Sequence, residues 1–409
     1  MKRTIKLRIF SFGTAFFMLL CCLATAESGP DGSRKSPTPV ALKAAKVWTG
    51  TGQVHDDALV LLRGRQIAAV GKDIVLPAGC EVIDLGSAQI APGLIDPFTA
   101  LGAVGQNIEI IDPIHPEATA EDVFDRFHRD FERALAAGIT SVVITPSLDN
   151  LVGGTAVAVK TAGTCACSRC RVLRRGGPLL LTLSEAAQKR NRAPTSRIGA
   201  IDLFKQTLAR ARTPAVHGET PSPRIEALVR GELDAYFYAS WRYNLDTVIG
   251  LRKEYGLKLT LVGLSDAWEM IDELAAAGMP LILGPFNALT AERELCVPGR
   301  AQAAGLEIAF TSGAPGFKPE GLRSSAALAV RYGLERDAAL QAMTLHAAKM
   351  AGIVERVGSL SPGKDADMVV FSGDPLDLSS KVLRVYVNGT PVYAGACCGG
   401  CCAESEVCP

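Results

Sequence analysis

The middle of the chain alternates short apolar runs with longer amphipathic segments, and this pattern predicts strands followed by helices. Eight strand–helix steps favour a (β/α)8 barrel of the TIM type, which is an α/β fold. A doubly wound open sheet is the alternative topology. The predicted barrel strands are 89–96, 139–145, 156–160, 179–183, 235–239, 257–262, 280–283 and 307–311. The predicted helices include 120–137, 244–255, 266–277, 324–332 and 335–343.

Both ends of the chain carry short apolar runs separated by glycine, aspartate or asparagine, which is typical of strands in a small β unit. Near the second end, Asn388-Gly389 separates two such runs and predicts a tight hairpin turn. We therefore expect a β-sandwich built from residues 40–88 and 358–394, beside a barrel of residues 89–357.

The first 26 residues have the three parts of a secretory signal peptide. Four basic residues precede an apolar run at 9–23, and Ala24-Thr25-Ala26 after that run is a small-x-small cleavage site. The apolar run is short for a membrane-spanning anchor, which is the alternative. We expect export to a periplasmic or extracellular location, removal of residues 1–26, a flexible leader at 27–39 and no stable membrane span in the mature chain.

Composition narrows the possible partners. The 409 residues include 43 Lys and Arg against 42 Asp and Glu, so the net charge of +1 gives no electrostatic argument for nucleic-acid binding. The chain has five His, which is few for an enzyme that would need three or four of them as metal ligands.

Cysteines are clustered in the middle of the chain and in a tail at 395–409. In an exported protein, such clusters favour disulfides. Thiolates at this spacing also hold zinc, copper or an iron–sulfur cluster, so a metal-binding or redox role is the alternative. The candidate thiols are Cys165, Cys167, Cys170, Cys397, Cys398, Cys401 and Cys402.

Four segments resemble motifs of one family. Pro92-Gly93-Leu94-Ile95-Asp96 resembles the first barrel strand of the amidohydrolase superfamily. Residues 357–370 are similar to the segment that returns the family's chain from the barrel to its β-sandwich, and residues 388–393 resemble its last hairpin. Residues 150–155 resemble a segment of secreted bacterial members of the imidazolonepropionase-like branch.

The resemblance implies a metal site whose ligands this chain lacks. Family members hold zinc or iron through two His after the first strand, one His each at the fifth and sixth strands, and an Asp at the eighth, which also activates water. No lysine lies in 179–183 to be carbamylated as a bridge between two metals. We therefore expect no metal cofactor in the barrel. The degenerate positions are Phe98, Ala100, Tyr238 (or Ser240), Gly263 and Gly313.

Carboxylates near predicted strand ends offer a metal-free alternative, because two of them could serve as general acid and base. The candidates are Asp96, Glu185, Asp234 and Asp266. Asp96 is most simply a structural part of the first-strand motif, and Asp266 is typical of a helix N-terminus.

Three functions remain open on the sequence. The first is a catalytically inactive amidohydrolase relative that binds, scaffolds or regulates, as a homo-oligomer or paired with an active relative. The second is an active hydrolase of amide or cyclic C–N bonds whose metal ligands the motifs do not reveal. The third is a cysteine-based metal-binding or redox protein.

Overall fold

The computed structural model describes residues 38–163, 171–212 and 221–395, and within them it shows a mixed α/β fold. The predictions for the signal peptide, most of the leader, the two cysteine clusters and His217 lie outside these residues. The strands are β1 (Val40–Trp48), β2 (Val54–Arg63), β3 (Gln66–Gly71), β4 (Glu81–Asp84), β5 (Gln89–Pro92), β6 (Leu94–Thr99), β7 (Ile139–Ile144), β8 (Val152–Thr155), β9 (Val157–Lys160), β10 (Val172–Arg174), β11 (Leu179–Thr182), β12 (Ala235–Ala239), β13 (Leu259–Gly263), β14 (Leu281–Leu283), β15 (Ile308–Phe310), β16 (Met368–Phe371), β17 (Val382–Val387) and β18 (Thr390–Ala394). The α-helices are α1 (Asp130–Ala136), α2 (Arg197–Arg212), α3 (Pro223–Val229), α4 (Arg242–Tyr255), α5 (Ile271–Ala277), α6 (Glu292–Leu295), α7 (Val297–Ala303), α8 (Gly321–Arg331), α9 (Arg336–Ala342) and α10 (Leu345–Met350).

Strands from both ends of the described chain form one eight-stranded sheet. Its order is β18-β17-β16-β5-β1-β2-β3, with β4 also paired to β1. Asn388 and Gly389 turn β17 into β18 with positive φ angles of 54° and 72°, as a tight hairpin requires. Hydrogen bonds link all eight strands into one sheet, and its division into the two layers of a sandwich stays a prediction.

Residues 89–96 were predicted to form one strand, but the structure divides them between two sheets. β5 pairs with β1 and β16, whereas β6 pairs with β7. The break falls at Gly93, where a Cβ atom would lie 2.0 Å from Thr140 Oγ1. Glycine is needed for this close approach, so the strand that pairs with β7 begins at Leu94 and not at residue 89.

The remaining strands form a four-stranded sheet, β10-β9-β7-β6, and a six-stranded sheet, β15-β14-β13-β12-β11-β8. Strands β11 to β15 run parallel to one another, and β6 runs parallel to β7. Helices connect most of the parallel strands, as the alternating pattern predicted.

The prediction of eight parallel strands is wrong at residues 156–160. β9 pairs antiparallel with β7, and β8, which precedes it by one residue, pairs antiparallel with β11. The chain from β8 to β9 therefore crosses from one sheet to the other. An apolar run indicates a strand but carries no information about its direction, because direction depends on the neighbouring strands.

The four-stranded and six-stranded sheets meet between β6 and β15. These two strands are joined by side-chain hydrogen bonds and a helix in place of backbone hydrogen bonds between strands, and we call this junction the seam. Thr311 Oγ1 donates to the carbonyl of Phe98, and Thr99 Oγ1 donates to the carbonyl of Ala314, each at 2.6 Å. At the other end of β6, the amide of Ile95 donates to the carbonyl of Met343, which precedes α10. Helix α10 packs against both strands.

Residues 120–137 were predicted to form one helix, but they form a short 3-10 turn at Ala120–Val123 and then α1. The amide of Phe127 donates to the Asp125 side chain, and the amide of Asp125 donates to the carbonyl of Gly102. An aspartate side chain that bonds the backbone two residues later competes with helix formation, which accounts for the break.

The eight-stranded sheet is buried on both faces at β16. Met368 and Val370 belong to a core cluster within that sheet, whereas Val369 and Phe371 belong to the large core of the parallel sheets. Successive strand residues point to opposite faces, so one strand contributes to both cores. None of the helices in the described residues is both long and apolar enough to span a membrane.

Candidate functional site

The five degenerate ligand positions lie at the ends of four strands. Phe98 is near the end of β6 and Ala100 follows it, Tyr238 is in β12, Gly263 ends β13, and Gly313 follows β15. The amide of Ala100 donates to the carbonyl of Ala314 at 3.2 Å, next to Gly313. The structure thus groups these positions where parallel α/β folds carry their ligands.

Aromatic side chains fill the space around Phe98. Its ring centroid lies 6.4 Å from that of Tyr238 with the two planes 26° apart, and 6.2 Å from that of Tyr236. These separations are typical of stabilising aromatic pairs. Tyr236 is fully buried, burial raises the pKa of its phenol, and its oxygen has no hydrogen-bond partner in the described part of the chain.

Two of the positions have no room for a side chain. A Cβ atom on Gly263 would lie 2.7 Å from the ring of Tyr238, and one on Gly313 would lie 2.7 Å from Cγ of Pro285. Both glycines have positive φ angles, 96° and 70°, which other residues adopt only with strain. The surroundings have therefore closed around the missing side chains.

Asp96, the last residue of the first-strand motif, is fully buried at the seam. Its carboxylate accepts hydrogen bonds from the amide and the hydroxyl of Ser312 and from the amide of Phe98. Burial raises the pKa of Asp96, and the bonds from Ser312 oppose that rise. Asp96 therefore connects β6 to the residues after β15, which is a structural role.

The comparisons with known proteins agree on one family. A solved amidohydrolase from Thermotoga maritima matches with a TM-score of 0.79 and 27% identity, over 87% of this chain and 100% of that one. The model of the Amidohydrolase family matches residues 320–393. The imidazolonepropionase of Deinococcus radiodurans is 28% identical over 357 residues, covering 79% of this chain and 88% of the relative. Together they support the amidohydrolase superfamily as the family that this chain resembles.

Within the amidohydrolase superfamily, the match to the imidazolonepropionase supports a resemblance to the imidazolonepropionase-like branch. It is also 22% identical to Amidohydrolase tasK of Hapsidospora irregularis over 431 aligned positions. That match covers 89% of this chain but 44% of the relative, so this chain spans less than half of that protein.

The donor chemistry at the five predicted ligand positions does not suit zinc or iron. Phenylalanine, alanine and glycine side chains carry no lone pair, which leaves the phenol of Tyr238 as the one oxygen donor among the five. A catalytic metal of this kind needs three protein ligands with an open fourth position. In residues 38–163, 171–212 and 221–395, no group of three His, Cys, Asp or Glu side chains could hold a metal ion.

The described histidines are held by structural contacts or lie apart from the site. His128 precedes α1, outside the helix in which it was predicted, and its Nδ1 lies 3.2 Å from the Asp130 carboxylate. His346 is in α10, where Nδ1 lies 3.2 Å from the carbonyl of Ile308 and burial lowers its pKa. His55 is in β2, and His115 is in the loop after β6.

The four candidate carboxylates are not brought together as a pair. Asp234 precedes β12, at the opposite end of that strand from the site, and lies 3.8 Å from Arg174. Asp266 accepts a hydrogen bond from the amide of Arg242, so it serves the first turn of α4. Glu185 is exposed in the loop after β11.

A buried charged cluster lies outside the residues that the motifs singled out. Lys160 at the end of β9 is 1% exposed, and its Nζ lies 2.8 Å from Asp365, 2.9 Å from Asp367 and 2.7 Å from Oδ1 of Asn388. The return segment and the last hairpin are thus fastened to β9 by their polar residues. A lysine in an otherwise apolar strand was the signal in the sequence, since buried lysines are almost always paired.

Proposed function

We propose that this chain is an amidohydrolase-fold protein without hydrolytic activity, which acts by binding, scaffolding or regulation. One observation carries the proposal: Phe98, Ala100 and Gly313, which the motif resemblance aligns with the family's ligands, have no side-chain group that could bind a metal. A Cβ atom at Gly313 would lie 2.7 Å from Pro285, so even the general-base position is closed to a side chain.

The proposal includes the architecture predicted from the sequence. We propose that the four-stranded and six-stranded sheets are the wall of one distorted (β/α)8-type barrel. Support comes from the contacts across the seam, where Asp96 accepts two bonds from Ser312 and Thr311 donates to the carbonyl of Phe98.

Hydrolysis by this family requires two things from the protein. The metal must lower the pKa of a bound water to about 7, and a carboxylate must accept its proton. Side chains at the five positions supply neither three metal ligands nor a carboxylate. We therefore derive no hydrolytic step for the barrel.

An active hydrolase with a relocated metal is the competing function, because the two relatives that match most of this chain bear enzyme names. The test is metal content by mass spectrometry of the full chain and of a variant with Ser at the seven clustered cysteines. We expect no stoichiometric zinc or iron in the cysteine variant and no amidase activity in either protein. Near-stoichiometric metal in the variant, with turnover of an amide, would overturn the proposal.

Localisation and assembly complete the proposal. We propose export through residues 1–26 and assembly with a second copy or an active relative. N-terminal sequencing of the secreted chain should start near Glu27. Light scattering of the purified protein should give a mass above the 43.1 kDa of one chain, and a monomer that gains no mass with any family member would contradict the assembly.

A further inference from the structure

A polar pocket of about 520 Å³ opens beside the end of β11, between the following loop and the start of α4. We call it the β11 pocket. Its volume is within the range of small-molecule sites, about 300–1,000 Å³. Strands β11 and β12 run parallel, and their C-terminal ends are where ligands bind in such sheets. Its polar wall contrasts with the aromatic packing around Phe98.

Arg197 is held rigidly in the wall of this pocket by neutral groups. Its guanidinium donates to Oδ1 of Asn244 at 3.1 Å, to the carbonyl of Tyr243 at 2.7 Å and to Oγ1 of Thr247 at 3.0 Å. It also lies 4.8 Å from the centre of the Tyr243 ring. Asn244 is itself 3% exposed. These partners fix the position of the charge without neutralising it.

Positive charge exceeds negative charge in the pocket wall. Lys189, Arg190 and Arg197 line it, and Glu185 is the acidic residue among its lining. Lys189 is paired with Asp149. Burial disfavours the charged form of Asp149, but hydrogen bonds from Lys189 and Ser147 outweigh it and lower its pKa, so this carboxylate stays ionised. Arg190 is exposed at the opening.

We propose that the β11 pocket binds a small organic anion through a carboxylate or phosphate group. Arg190 contacts the anionic group, since an exposed guanidinium pairs with these anions in a bidentate geometry. Arg197 contacts it through Nη1, which none of the three hydrogen bonds above uses. The exposed ring of Tyr243 packs against the rest of the molecule, and Glu185 weakens binding by repulsion. This site does not depend on the proposed loss of hydrolysis, because none of its residues is a metal-ligand position.

The test is calorimetric titration of the full chain with inorganic phosphate, with succinate and with neutral succinamide. Phosphate and succinate separate the two sources of anionic group, and succinamide controls for shape. The variants are Arg190→Gln, Glu185→Gln and, as a matched control, Arg331→Gln on the exposed surface of α8. Arg197 is left unchanged because it connects α2 to α4.

We expect saturable binding of at least one anion and none of succinamide. Loss of one charge-assisted contact predicts about tenfold to hundredfold weaker binding for Arg190→Gln. Glu185→Gln should tighten binding, and Arg331→Gln should not change it. Absence of saturable binding by both anions, or equal weakening in Arg190→Gln and Arg331→Gln, would refute the site. Metal content is not read in this experiment, so its failure leaves the proposed function standing.

Discussion

Replacing Lys160 with methionine tests whether the return segment is held to β9 by buried charge. Methionine keeps most of the apolar stem and removes the ammonium group. Asp365 and Asp367, which are 13% and 3% exposed in their side chains, then face each other without their shared cation. Oδ1 of Asn388 also loses its donor.

The expected loss follows from the burial of the pair. Removing one partner of a buried ion pair costs about 3–5 kcal/mol, because the remaining charge stays out of water. Two carboxylates remain here, although Arg356 still contacts Asp365 at 2.7 Å. We expect Lys160→Met to lower the free energy of unfolding by about 4 kcal/mol, a large share of the about 5–15 kcal/mol that a domain has.

The same change should make stability depend more strongly on pH. Burial raises the pKa of Asp367 and Lys160 opposes that rise, so the variant has the higher pKa. A carboxyl whose folded pKa is raised stabilises the fold fully below its unfolded pKa and loses that contribution as pH rises through the folded pKa. The penalty of Lys160→Met should therefore be smaller near about pH 4 than near about pH 8.

Urea unfolding at several pH values measures both effects. The matched control is Lys349→Met, since Lys349 pairs with Glu307 at the surface with both side chains about two-fifths exposed. Such a pair contributes about 0–1 kcal/mol. Adding Asp365→Asn and Asp367→Asn to Lys160→Met should recover part of the loss. Equal penalties for Lys160→Met and Lys349→Met would show that the cluster is not the anchor inferred here.

Three further predictions concern the site and the seam. Gly313→Ala should lower the melting temperature more than the control Gly79→Ala. Both glycines have φ near +70°, but a Cβ at Gly79 meets nothing within 4 Å. The difference between the two variants therefore measures the cost of overpacking at Gly313, about 1–3 kcal/mol. Equal shifts in melting temperature would mean that the space at Gly313 is not closed. Asp96→Asn should lower the free energy of unfolding most at low pH. Burial raises the pKa of Asp96, so the stability that the Asp96 carboxyl contributes is lost as pH rises through its folded pKa. A loss of stability in urea unfolding that grows with pH would contradict this prediction. His346→Gln should make the stability of the fold less sensitive to acid. Burial lowers the pKa of His346, so the stability that the neutral ring contributes is full above its unfolded pKa and is lost as pH falls through its folded pKa. An acid transition that is the same in the variant would contradict this prediction.

Local pattern was enough to predict most strands and the meeting of the two chain ends. It could not give the direction of β9, the break at Gly93 or the turn at Asp125. Each of these depends on a partner distant in sequence or on a side chain that competes with the backbone. Gly93, for example, is required by Thr140, which approaches it across 47 positions of chain.

The sequence by itself determined that the side chains of Phe98, Ala100 and Gly313 have no ligating atom in any fold; the loss of a metal site at these positions stays a prediction. The tertiary structure alone decided how closely two of the predicted ligand positions are packed. The ring of Tyr238 and Pro285 occupy the space a side chain would need at Gly263 and Gly313. The tertiary structure also decided which partners the buried charged residues have. Asp96 bonds Ser312, which is 216 positions away in the chain, and Lys160 bonds Asp367, which is 207 positions away. Such contacts form only when folding brings distant segments together, and no local pattern of apolar and polar residues encodes them.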